Sequence, residues 1–146
     1  MKAPIPRSEE LLDRIEQALT PNRRPLLIAI DGADGSGKSS LASWLAWQLG
    51  MPAIQLDLYL TKLHPIQWRT KDLARVVDRR IGRNRPVIID GVLLLDALDQ
   101  IGRNADFLVC VTGGYKESTL ASQIAAYQLR QKVLKRANFT IGGYQE

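Results

Sequence analysis

Apolar and polar residues fall in blocks along this chain, and the spacing inside each block predicts an element. Leu11, Leu12, Ile15, Ala18 and Leu19 recur at helical intervals after Ser8, a candidate N-cap, and Pro21 ends the run. The pattern predicts an N-terminal packing helix within residues 1–21. Leu26 to Ile30 are continuously apolar and close on Asp31, the form of a strand buried on both faces. A glycine-rich loop, Gly32 to Gly37, comes next. From Lys38 onward, Leu41, Ala42, Leu45, Ala46 and Leu49 mark a second helix that Gly50 closes.

Ala53 to Leu56 predict a second strand ending at Asp57, and residues 59–68 a loop that carries the lone histidine, His64. A helix over 71–81 follows, with the stripe Leu73, Val76, Val77 and Ile81 closed by Gly82. A third strand runs from Pro86 to Gly91, a short helix covers 93–101, and a fourth strand covers 107–111. A long helix over 116–137 and a short strand over 138–141 complete the chain. Strands alternating with helices predict an α/β fold, with a parallel sheet, helices on both faces and right-handed crossovers. No repeat or linker divides the chain, so residues 1–146 are expected to form a single domain.

Composition narrows the partners. At 146 residues, 45% hydrophobic and 24% charged, the chain suits one globular core without disulfide or structural metal. No leader pattern opens it and no apolar stretch reaches the ~18 residues of a membrane span. A cytoplasmic location without a membrane partner is the expectation. Cys110 lies within the apolar run 107–111 and reads as a buried small hydrophobe. A net charge of +5 and a pI of 9.6 favour an anionic partner: a nucleotide, a phosphorylated metabolite or nucleic acid.

The loop makes the choice. Gly32-Ala33-Asp34-Gly35-Ser36-Gly37-Lys38-Ser39 matches G-x-x-x-x-G-K-[ST], the Walker A motif, and Ser40 follows it on the predicted helix. Successive backbone N–H groups must curl round a β-phosphate, which calls for glycines. The helix start adds its positive dipole end, Lys38 reaches the β- and γ-phosphates, and the Ser39 hydroxyl is placed for Mg²⁺. ATP and Mg²⁺ are therefore the expected cofactors, ATP over GTP only because no N-K-x-D element is present. Asp90, after Val87-Ile88-Ile89, has the form of a Walker B acid that helps to hold the metal. Asp57, at the carboxyl end of the second strand, is the candidate base for an attacking hydroxyl, with loop capping as its other reading.

Taken together, Asp31 to Ser39, Leu56-Asp57-Leu58-Tyr59 and Val87-Ile88-Ile89-Asp90-Gly91-Val92 resemble the uridine kinase and phosphoribulokinase family over about residues 25–113. The resemblance implies a P-loop NTPase three-layer sandwich whose five parallel strands run 2-3-1-4-5. It also implies phosphoryl transfer from ATP to a hydroxyl of a small metabolite, a nucleoside being the first guess. Lys38 and Asp57 would be catalytic, and Asp57, Tyr59 and Arg69 would lie nearest the acceptor. Three departures stand out. The family has Glu where this chain has Asp90 and an aromatic residue at Leu60, and its arginine-rich lid has no counterpart in 113–126, leaving Arg130 or Lys132 as substitutes. An ATP-binding regulatory module with little turnover is the alternative. The basic stretch from Arg69 to Arg85 reads as a solvated helix face, with Arg69 excepted, and nucleic acid is not the expected partner. Trp44 and Trp47 read as packing residues. Trp68 either stacks on a planar substrate or anchors its loop.

Overall fold

A computed structural model describes residues 2–22, 24–115 and 118–145. Five strands form one parallel sheet: β1 (Leu27–Gly32), β2 (Ala53–Gln55), β5 (Val87–Gly91), β6 (Phe107–Gly114) and β7 (Phe139–Gln145). They lie in the order β2-β5-β1-β6-β7, and every pairing is parallel. Counted as sheet strands alone, this is the expected 2-3-1-4-5 arrangement. The central strand β1 is buried at all six positions, as its unbroken apolar sequence requires.

Alternation along the strands divides the core into two layers. Ile28, Ile30, Ile88, Val109 and Val111 face α1 (Ser8–Leu19) and α2 (Lys38–Leu49). Leu27, Ala29, Ile54, Val87 and Ile89 face the opposite layer: α3 (Thr70–Gly82), α4 (Leu94–Gln100), α5 (Ala121–Gln131) and the short α6 (Val133–Arg136). Asp31 shares the second face and Asp90 the first. This period-two consequence governs the chemistry below.

Several elements differ from the sequence reading. Residues 59–68 are not a plain loop: after a 3₁₀ turn (Leu56–Tyr59), β3 (Leu60–Leu63) and β4 (Ile66–Trp68) form an antiparallel hairpin. Ser8 does not cap α1 but opens it, donating its hydroxyl to the Ile5 carbonyl at 2.6 Å. The helix expected over 116–137 begins at Ala121 and breaks at Lys132, which takes a left-handed conformation (φ 53°); Lys116 and Glu117 lie outside the described residues. Strands β6 and β7 run past their apolar segments into glycines. Trp44 is buried as expected, whereas Trp47 is 69% exposed. Val76, placed on an apolar stripe, also faces outward. Cys110 is buried in β6, and burial followed by the nearby Asp31 charge pushes its thiol up to about 11, which makes it inert.

Candidate phosphate-binding site

The loop from Gly32 to Gly37 joins the end of β1 to the start of α2. Gly35 and Gly37 take positive φ values of 72° and 95°, where a side chain would be strained. A Cβ at Gly35 would also stand 2.7 Å from the Tyr115 ring, and one at Gly37 would stand 2.9 Å from the Tyr144 ring. The outer carbonyls of the loop are tied down by strand ends. Asp34 O accepts from Tyr115 N at 2.8 Å, and Ser36 O accepts from Tyr144 N at 2.9 Å. Ser118 Oγ donates to Asp34 Oδ2 at 2.6 Å, adding a third tie. With its carbonyls turned outward, the loop presents the uncapped first turn of α2 to the crevice. Ala33, Asp34 and Gly35 are half-buried and Ser36 is buried, while Ser40 lies exposed one position along α2.

Lys38 and Ser39 open that helix. Ser39 Oγ donates to Asp90 Oδ1 at 3.0 Å, so the loop helix and the end of β5 meet. Asp90 is 1% exposed and its other oxygen, Oδ2, is buried with no partner. A buried carboxylate oxygen left unpaired is costly unless something outside the protein completes it. Burial raises the Asp90 carboxyl to about 6, offset in part by the Ser39 hydroxyl and the Lys38 charge and reinforced by the Asp57 charge. The donor set, one hydroxyl and one free carboxylate oxygen, consists of the hard ligands that suit Mg²⁺. Among the described residues no cluster of three His, Cys, Asp or Glu could hold a metal by itself. An ion here would need phosphate oxygens as further ligands. Lys38 is 6% exposed, yet it is buried against carboxylates, with Asp31 and Asp90 both within electrostatic reach. A cavity of about 420 Å³ opens beside Ser39, reaching Ser43 and Gln55.

Asp57 lies in the 3₁₀ turn directly after β2, exposed and close enough to Asp90 to raise its pKa. Arg69 braces this turn. Its guanidinium donates to the Leu58 carbonyl at 2.5 Å and sits 5.6 Å from the centre of the Tyr59 ring, while its own N–H bonds to Tyr59 O at 2.7 Å. Tyr59 and Arg69 thus form the frame around Asp57. Trp68 is 6% exposed and packs in the core, so it anchors the hairpin instead of offering a stacking face. Gln123 of α5 pins the hairpin tip, donating to Leu63 O at 2.8 Å and accepting from Ile66 N at 3.1 Å, with His64 Nδ1 3.3 Å away. Arg130 is no substitute for a lid arginine: it forms a two-pronged pair with Asp96 at 2.7 and 2.8 Å.

Asp31 and Tyr127 did not stand out as site residues from the sequence. Asp31 Oδ2 accepts from Tyr127 OH at 3.1 Å, and Tyr127 OH accepts from Leu95 N at 2.9 Å. Amides of Leu94 and Gly32 also bond the carboxylate, and burial raises it to about 6. The one signal for Asp31 was a charge closing an apolar strand; nothing local pointed to its partner 96 positions away.

A glycine loop between the central strand and a helix N-terminus, with an acid-tipped neighbouring strand on a parallel sheet in this order, defines the P-loop nucleoside-triphosphate-binding fold. The structure resembles that of a possible uridine kinase from Bacillus stearothermophilus, with a TM-score of 0.66, 17% identity, and coverage of 92% of this chain and 97% of that one. A gluconokinase from Sinorhizobium meliloti matches with a TM-score of 0.41, 22% identity and 83% of each chain. No protein-family pattern and no curated protein matches the chain in sequence. Among the described residues no helix is long and apolar enough to cross a membrane.

Proposed function

We propose that this protein is an ATP- and Mg²⁺-dependent kinase that phosphorylates a hydroxyl of a small metabolite. The observation that carries this reading is the Ser39–Asp90 hydrogen bond beside the orphaned Asp90 Oδ2, immediately behind the glycine loop. Loop amides and Lys38 hold the β- and γ-phosphates and stabilise the charge that spreads over the transferred group. Bound Mg²⁺, held by Ser39 and Asp90 with the phosphates, would supply further charge neutralisation. Asp57 takes the proton of the attacking hydroxyl, and Arg69 and Tyr59 keep it in place. The acceptor enters over the hairpin side of the crevice. A nucleoside is the first candidate, in keeping with the likeness to the possible uridine kinase from Bacillus stearothermophilus.

The test is ADP production with a panel of nucleosides, sugars and vitamins, run on the natural protein and on Asp57→Asn. One acceptor should raise ADP release above the basal rate. With that acceptor, Asp57→Asn should keep ATP affinity and lose turnover, typically by about 10²–10⁴-fold. Full turnover by the variant would return Asp57 to a capping role. The second reading, an ATP-binding regulatory module, is favoured by one observation: Arg130 is committed to Asp96 and residues 113–126 contain no arginine to clamp the phosphates. ATP binding with no stimulation by any acceptor would support it.

A further inference from the structure

The arginines between positions 69 and 85 do not behave as one solvated face. Asp72 lies 3.9 Å from Arg69 and 4.0 Å from Arg75, and Asp78 pairs with Arg103 at 2.8 Å. Arg79, Arg83 and Arg85 instead rim a cavity of about 250 Å³ floored by Ile54, Val76 and Val87. Among the described residues these three arginines have no carboxylate within ion-pair distance. No acidic residue lines the cavity. Arg80, also at its edge, is fixed by donating Nε to Pro86 O at 2.8 Å.

Sequence explains the arrangement. Val76 and Arg79 lie three positions apart on one stripe of α3 and Arg83 follows directly after its last residue, while Leu73 and Val77 fill the core from the adjacent stripe. Val76 is left 41% exposed, an apolar surface within a cationic rim. The cavity sits at the N-terminal ends of β2 and β5, whereas the phosphate loop sits at the C-terminal end of the sheet. From Val87 to Gly91 the strand advances roughly 13 Å, at about 3.3 Å per residue. A nucleotide in the glycine loop therefore does not fill this cavity.

We propose that this cavity is a second ligand site, binding a small organic anion with a flat or aliphatic body and one or more phosphate or carboxylate groups. The body lies on Val76, Ile54 and Val87. Its anionic groups meet the guanidinium forks, whose planar donors match phosphate and carboxylate oxygens in pairs. Three like charges round one recess repel one another, and an anion relieves that repulsion as it binds. The volume suits a body of about one or two rings.

The test uses anilinonaphthalene sulfonate, an aromatic anion that fluoresces when its rings leave water. The full chain, shown by its melting curve to be native, should bind one equivalent with an affinity that weakens as salt is raised. One equivalent of ATP with Mg²⁺, enough to fill the phosphate loop without an excess to compete elsewhere, should leave that binding unchanged. Arg79→Ala/Arg83→Ala/Arg85→Ala should weaken it at least tenfold without lowering the melting temperature, since all three side chains are exposed. Trp47→Ala, which removes a large exposed aromatic from the adjoining recess, should have no effect. Absence of binding at millimolar probe, displacement by that single equivalent of ATP, or equal binding by the triple variant would each overturn the proposal.

Discussion

The two faces of the sheet carry matching acids one register step apart, Asp90 beside Ile30 and Asp31 beside Gly91, and partner them differently. Asp90 faces α2 and Asp31 faces α4 and α5; both are buried, and burial raises each to about 6. Asp31 is saturated, with Tyr127 and the Leu94 and Gly32 amides around it. Asp90 has one protein partner, Ser39, and one oxygen with none. Equal desolvation therefore does not mark equal function. What separates a ligand-ready carboxylate from a structural one is the unfilled hydrogen-bonding capacity that remains after the protein has folded.

The largest effect expected from this comparison is on stability. Asp31 has a folded pKa of about 6 against an ordinary 3.8, so between those values the native state binds more protons than the unfolded one. Stability must then fall as pH rises through that window, and the whole penalty is present above it. In Asp31→Asn this contribution vanishes. Unfolding free energies of the two proteins, measured across the window, should diverge in the variant's favour by up to about 3 kcal/mol, at 1.36 kcal/mol per pKa unit. A constant offset from the amide's poorer pairing does not affect this change with pH. Parallel curves would mean that Asp31 is not desolvated in the way its surroundings imply.

On the open face the expected effect is somewhat smaller and depends on metal. Asp90→Asn keeps the shape that Ser39 bonds but withdraws the charge from the unpaired oxygen. By calorimetry, ATP affinity in the presence of Mg²⁺ should drop roughly tenfold to a hundredfold, while affinity measured in a chelator stays the same. Equal losses in both conditions would show that Asp90 supports the loop and not the metal.

Much of this organisation can be read from local sequence. The glycine loop, Lys38 and Ser39 are identified by residue identity alone, and the five sheet strands by apolar runs whose neighbours are helices. The elements that escaped are those decided by distant partners. β3 and β4 are only four and three residues long and mostly exposed, and the hairpin is held by Gln123 from another helix. The break at Lys132 carries no glycine or proline to announce it. Val76 obeys a helical stripe but faces outward, because periodicity gives a face and not its neighbour. Asp31 and Asp90 look alike in sequence, each closing an apolar strand, and only the three-dimensional partners distinguish them.

The smallest of these effects concerns the closed face alone. Tyr127→Phe keeps the ring in the core but removes the hydroxyl that donates to Asp31 and accepts from Leu95 N. Two buried groups lose a partner, which costs about 1–2 kcal/mol in unfolding free energy. Because the Tyr127 hydroxyl also holds the Asp31 pKa down, its loss should move the acid still higher and widen the pH window in which stability declines. Neither change reaches the phosphate loop from the α2 side. ATP affinity with Mg²⁺ should therefore remain within about threefold of the natural protein, a shift of less than 1 kcal/mol. If Tyr127→Phe instead weakened nucleotide binding tenfold with an unaltered melting curve, Asp31 would belong to the phosphate site through its neighbour Lys38, and the division between an open and a closed face would fail.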